Sequence, residues 1–329
     1  MAELTLAQDT RFTAVRKAPS LRRIARVDAF FRALTRASAL AVLGVLGGVM
    51  LALAIGAFPA LKAFGFEFLW THTWNPVTEK FGALAPIYGT VVTSAIAMAF
   101  AVPIGVGIAI FLTEICPRAL RRPIGIAIEL LAGIPSIIYG IWGLFVLAPV
   151  LQRGVQPFLI DLFGPVPVLG AVFAGPPYGI GMLTAALILA IMVLPFIAAI
   201  TRDVFEQVPA VLKEAAFGLG CTTREVIRGV VIPYARVGVI GGCMLALGRA
   251  LGETMAVTFV IGNAHKIHAS LLGPGTTISA TIANEFTEAV GDLYTASLIA
   301  LGLILFVITF LVLAAARLML ARIARKAGA

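Results

Sequence analysis

The sequence predicts an all-α membrane protein of about six transmembrane helices, with both termini in the cytoplasm. Three observations carry this. The 329 residues are 60% hydrophobic and only 12% charged, whereas an ordinary soluble domain is about 25% charged. There is too little polar surface to coat a water-soluble globule of this size. Long apolar runs occupy roughly 36–61, 88–113, 124–151, 178–201, 237–262 and 293–320. Each supplies the about 20 residues a helix needs to cross the hydrocarbon core, and none alternates as a barrel strand would. Finally, of 25 Lys and Arg, twenty fall in the two tails and alternate loops that share one side. The other side holds Lys62, Lys80, Arg153 and Lys266, and Arg249 sits inside a run. Basic residues collect on the cytoplasmic side, and an even number of spans then places both termini there. The net charge of +9 is thus accounted for by topology, which leaves no need for a nucleic-acid partner.

The elements follow in order. Residues 1–19 are polar. From Ser20 to Ser38, Leu21, Ile24, Val27, Phe31 and Leu34 recur at helical spacing, with Arg22, Arg23, Arg26 and Arg32 largely elsewhere. This predicts a basic amphipathic helix in the membrane interface, so residues 1–35 form a cytoplasmic tail. The first apolar run is too long, and its charged lead too extended, for a cleaved signal peptide. The next loop carries Trp70 and Trp74, expected at headgroup level. Pro103, Pro135 and Pro195 fall inside spans 2, 3 and 4 and predict kinks there. Five prolines between 152 and 177 predict an extended outer connection. Residues 36–321 form one membrane domain and 322–329 a short cytoplasmic tail.

The most informative stretch is the loop 202–236. Pro209 suits the first turn of a helix, Gly220 suits its C-terminal cap, and Thr222 with Glu225 has capping-box spacing. A second short helix is expected to run to about Pro233. The loop therefore reads as helix, glycine turn and helix at the membrane face.

Charged groups inside apolar runs are the remaining candidates. Arg249 and Glu253 are four apart in span 5, a spacing that lets them share a helix face and pair. Burying such charges costs about 2.5–3.5 kcal/mol each on insertion scales. The pair fits either of two roles: lining an anion pathway, for which guanidinium donors are well shaped, or locking helices together. Glu129, in the third apolar run, is an intramembrane partner or an interfacial acid, and Glu114 closes span 2. His72, His265 and His268 fall in outer loops and read as solvated rather than as metal ligands. Cys116, Cys221 and Cys243 follow no disulfide or metal spacing. The chain contains no Gly-Lys dipeptide, so it lacks a phosphate-cradling P-loop. It is expected to bind no cofactor and to be non-catalytic. A proton-coupled carrier using Arg249 and Glu253 is the alternative from another class.

Glu214-Ala215-Ala216, Gly220 three residues on, and Val230-Val231-Ile232-Pro233 after nine more resemble the EAA loop of ABC-importer permeases. Val230 and Ile232 replace the usual Ile and Leu. Further stretches resemble the PstC-type permeases of bacterial phosphate importers. These are Gly82–Thr90, Arg122–Ala132, Gly248–Val257 and Ala283–Phe286, and the likeness covers about residues 40–320. The resemblance implies a type I ABC importer permease fold in the bacterial inner membrane. It implies that Glu214, Ala215, Ala216, Gly220 and Pro233 couple the chain to a separate ATPase, which would use ATP and Mg. It also implies the partners: a PstA-like second permease, two copies of a PstB-like ATPase, and a periplasmic phosphate-binding protein. The implied cargo is inorganic phosphate, with another oxyanion or a phosphonate as the alternative.

Overall fold

A computed structural model describes residues 21–326, so the expected tail 1–19 lies outside it. The described chain is helical, and six helices are long and apolar enough to span a membrane: Ala25–Phe64, Leu84–Ile115, Ser136–Phe163, Met182–Glu206, Thr223–Leu251 and Asp292–Arg322. These are spans 1 to 6 below. The expected interfacial segment and span 1 belong to one unbroken helix, Leu21–Phe64. Contacts divide the chain at Ala52/Leu53. In the first unit every described residue from 25 to 52 is exposed, including Leu40, Val42 and Leu51. From Ala39 to Ala52 this surface is apolar all round and belongs in lipid or against other helices.

In the second unit span 4 is the hub. About two-thirds of its most apolar stretch is buried (67%), against 28% for spans 2, 3 and 5 and 17% for span 6. Ile188, Leu189, Val193 and Ile197 of span 4 pack with Ala97 and Ala101 of span 2 and with Ala246 and Ala250 of span 5. Small residues permit this closeness. A Cβ on Gly238 or Gly242 would come within 2.6 Å of Val204 or Ile200 of span 4. Glycines four apart thus form a seam on which the two helices approach, as small-residue motifs do in membranes.

Two apolar runs begin and end elsewhere than expected. Span 3 starts at Ser136, not 124. Arg118–Ala132 is a separate helix, and Pro135 caps the span from outside rather than kinking it. Proline disfavours the helical conformation in the residue before it and leaves the carbonyl four residues back without a donor. That carbonyl, on Leu131, accepts instead from the Ile134 N–H at 3.3 Å and from the Tyr139 hydroxyl at 2.8 Å. The far end of span 3 continues to Phe163, so the expected extended loop 152–177 is helical over its first half.

Proline also explains the widened turns. Four π-helical stretches occur among the described residues, at Phe111–Ile115, Gly143–Leu147, Leu151–Val155 and Ile227–Val231. Each ends two residues before a proline: Pro117, Pro149, Pro157 and Pro233. The residue four before each proline is the centre of the stretch. A proline ring crowds that carbonyl and offers it no N–H, and widening the turn relieves the clash. At the first stretch the freed carbonyl, on Thr113, accepts from Arg121 Nη2 at 2.6 Å. No such stretch immediately precedes Pro103 or Pro195.

Candidate functional site

The loop between spans 4 and 5 folds into the helix Ala210–Gly218, with Pro209 as its N-cap. Its end is set by Gly220, whose φ of 88° is accessible to glycine and strained for other residues. The Gly220 N–H donates to Phe217 O at 2.9 Å and the Cys221 N–H to Ala216 O at 3.1 Å. This paired arrangement is a Schellman motif, which satisfies the last carbonyls. Immediately afterwards Thr222 and Glu225 form a reciprocal capping box that starts the next helix. Both signals were legible in the sequence.

The short helix is lightly held. Ala216 and Cys221 pack on a small core of Ala109, Phe205, Val208, Val226 and Val231. Lys213 Nζ bridges to Glu114 at the end of span 2, at 2.5 Å, with both side chains largely buried. The opposite face is open: Glu214 and Ala215 are exposed, as are the apolar Val211 and Leu219. One face of the Glu-Ala-Ala triplet is therefore anchored and the other is presented.

The helix that follows does not stop near Pro233. It runs from Thr223 through the π stretch to Leu251 as one rod, with Pro233 near the start of Ile232–Leu251. Span 5 therefore begins before the expected 237 and ends before the expected 262. At about 1.5 Å per residue, its 29 residues reach about 40 Å from the short helix to Arg249.

The expected Arg249–Glu253 pair does not form. The helix ends at Leu251 with Gly252 as its C-cap, so the two residues leave a common face. Arg249 is exposed and has no ionic partner among the described residues. Glu253 instead accepts from the Ala256 N–H at 3.3 Å and helps start the single turn Met255–Thr258.

Glu129 has its ionic partner within this chain. It lies on the helix Arg118–Ala132, half exposed, and accepts from Arg202 at 2.7 Å; Arg202 also binds Asp203 at 2.7 Å. The apolar run concealed this because the residues around Glu129 are themselves apolar on one face.

Sequence reasoning missed one site. Glu285 accepts from Trp74 Nε1 at 2.6 Å and from the Tyr294 hydroxyl at 2.7 Å, and it meets His265 Nε2 at 2.7 Å. Trp74 stacks on His265, with ring centroids 5.1 Å apart. Burial pushes the Glu285 carboxyl up, but the hydrogen bonds from His265, Tyr294 and Trp74 and the His265 charge outweigh it and hold the carboxyl below the usual range. His265 is thus a largely buried partner rather than a solvated loop residue. Trp74 is drawn into the same cluster, while Trp70 is exposed. No local spacing signals this site, because its members are up to 211 residues apart.

Residues 101–325 match the family described as binding-protein-dependent transport system inner membrane component. The phosphate transport system permease protein PstC of Mesorhizobium japonicum is 71% identical over 310 residues, 94% of this chain and 95% of that one. The protein of the same name from Pasteurella multocida is 56% identical over 302 residues, 92% of this chain and 94% of that one. Among solved structures, a chain of a bacterial alginate ABC transporter in complex with its alginate-bound periplasmic protein aligns with TM-score 0.60 and 15% identity, covering 92% of this chain and 98% of that chain. A chain of the inward-facing MetNI methionine ABC transporter aligns with TM-score 0.55 and 17% identity, covering 76% and 99%. At such identities these two likenesses establish the fold alone, which is that of ABC importer permeases. The chain therefore belongs to the binding-protein-dependent transport system inner membrane family, as a multi-pass inner-membrane permease of the PstC type.

Proposed function

We propose that this chain forms the translocation channel of an ATP-driven importer that moves inorganic phosphate into the cytoplasm. The names of its relatives support the cargo. Within the chain, the observation that carries the reading is Arg249, a guanidinium at the end of an apolar span with no ionic partner among the described residues. A charge in such a place needs a counter-charge. A planar fork of donors suits the oxygens of a phosphate in transit. Glu253, just past the helix end, supplies a negative charge that keeps the anion from binding too tightly to leave.

The drive comes from outside the chain. The exposed face of Ala210–Gly218, with Glu214 and Ala215, docks in a cleft of a PstB-like ATPase, two copies of which bind and hydrolyse ATP with Mg. Gly220 and Pro233 shape the joint. Span 5 is one rod from that joint to Arg249, so rotation at the docking helix reaches the anion site as a rigid-body movement. A PstA-like permease completes the channel, and a periplasmic phosphate-binding protein delivers the cargo to the opposite end.

Uptake of labelled phosphate by cells carrying Arg249→Gln tests this. The variant is expected to insert normally and lose uptake, with Arg249→Lys retaining part of it. Normal uptake by a normally inserted Arg249→Gln protein would refute the role.

A further inference from the structure

Beyond the transport pathway, the end of the molecule that bears the docking helix holds a second basic cluster. A cleft of about 270 Å³ lies between the helix Arg118–Ala132 and the last turns of span 4, lined by Arg118, Arg121, Arg122, Glu129, Arg202 and Glu206. Four guanidinium groups face two carboxylates. Arg202 is neutralised within the cleft by Glu129 and the neighbouring Asp203. Arg118, Arg121 and Arg122 form no ion pair among the described residues. Arg121 is fixed in place, because its Nη2 donates to the Thr113 carbonyl that Pro117 set free. Its Nε is buried and has no partner. With Arg118, Arg121 and Arg122 unpaired, the cleft carries excess positive charge.

We propose that this cleft binds the phosphate group of an anionic lipid. The charge of a phosphate matches the surplus, and its oxygens accept from guanidinium donors. The surroundings favour a lipid over free phosphate. Ile126, itself a lining residue, is 48% exposed, and Leu130 and Leu131 on the same helix are 69% and 47% exposed. Acyl chains attached to the headgroup would cover this surface. A helix whose arginines adjoin exposed aliphatic residues suits the headgroup region, where basic clefts between membrane helices take lipid headgroups. The cleft adjoins the docking helix through the segment that carries Thr113 and Glu114, Glu114 being the partner of Lys213. A bound headgroup would therefore brace the segment that holds that helix.

The full-length chain, equilibrated in mixed phosphatidylglycerol and phosphatidylcholine micelles, is examined by native mass spectrometry for retained lipid. Arg118→Gln with Arg122→Gln removes two charges from the cleft and leaves Arg121 and Arg202 in place. Arg317→Gln with Arg322→Gln removes two exposed charges outside it. The first pair is expected to weaken phosphatidylglycerol retention about tenfold or more; the second should leave it within about twofold. Arg118→Lys with Arg122→Lys keeps the charge and should retain the lipid, which separates loss of binding from loss of fold. Equal retention by the first glutamine pair, or equal loss in the control pair, would overturn the site. Displacement of the lipid by excess inorganic phosphate would reassign the cleft to free phosphate and overturn the lipid assignment. Persistence of the lipid under that competition supports it.

Discussion

The loops on either side of span 5 are built differently. Before it, the helix Ala210–Gly218 contains no buried residue and is held by one ion pair, a small apolar core and its caps. After it, residues 252–291 are folded into the bundle. Val257, Val260 and Ile261 join the core around span 4. The Ile278 N–H donates to the Thr90 hydroxyl at 2.9 Å, and Thr276 and Thr281 share a hydrogen bond of 2.8 Å. Glu285 then ties Trp74, His265 and Tyr294 together. The first region presents a surface at little structural cost; the second is a fixed frame. Changes in the first should therefore alter coupling and spare stability, and changes in the second should do the reverse.

Glu285→Ala tests the frame with the largest expected effect. It strands the indole N–H, the Tyr294 hydroxyl and His265 in a largely buried place, and should cost about 3 kcal/mol of stability. Thermal melting of the purified chain in detergent should show a clear fall in Tm, and an unchanged Tm would break the comparison. Ala215→Trp places a bulky side chain on the exposed face of the docking helix. Its stability should change by no more than about 0.5 kcal/mol, as for other surface substitutions. Phosphate uptake should nevertheless fall by roughly thirtyfold, corresponding to about 2 kcal/mol lost at a docking hot spot. Uptake and Tm measured on the same variant read the two quantities separately.

Gly242→Ile tests the seam between spans 4 and 5. The added side chain begins 2.6 Å from Ile200, and overpacking of this kind costs about 2 kcal/mol. Gly220→Ala is milder. Alanine at a φ of 88° should cost about 1 kcal/mol. Faster hydrogen exchange is expected at Gly220 and Cys221, with the rest of span 5 unchanged.

The smallest expected effect is on pH dependence. The Glu285 carboxyl titrates lower in the folded protein than its free value of about 4.3. Its contribution to stability is therefore fully present above that value. It is lost as pH falls through the folded-state value, because the unfolded chain takes up the proton first. Tm should drop on acidification in the wild type, with a shallower drop in Glu285→Gln.

The number of spans and the helix Ala210–Gly218 were both readable from the sequence, for different reasons. Six spans follow from desolvation, which composition reports directly. The helix Ala210–Gly218 follows from local signals, since Pro209, Gly220, Thr222 and Glu225 act within a few residues of one another. The boundaries of spans 3 and 5 were not readable from apolar runs alone. The second half of the helix Arg118–Ala132 is rich in aliphatic residues and so merges with the apolar run of span 3, and Pro135 marks the break. From Thr223 to Arg236 the reverse holds, since a polar stretch continues the same rod that becomes span 5. The i,i+4 spacing of Arg249 and Glu253 makes a pair only on a continuous helix, and Gly252 ends the helix between them. The Glu285 cluster draws on three segments, so no local pattern could announce it. Even so, Glu285 stood in a stretch that resembled the family.

The most direct test of the account is the ATPase rate of the lipid-reconstituted complex containing this chain, measured with periplasmic binding protein loaded with phosphate and then with sulfate. Stimulation by the phosphate-loaded form alone, abolished by Ala215→Trp, is the result predicted. A complex that carries no ATPase, or one that neither loaded form stimulates, would contradict it.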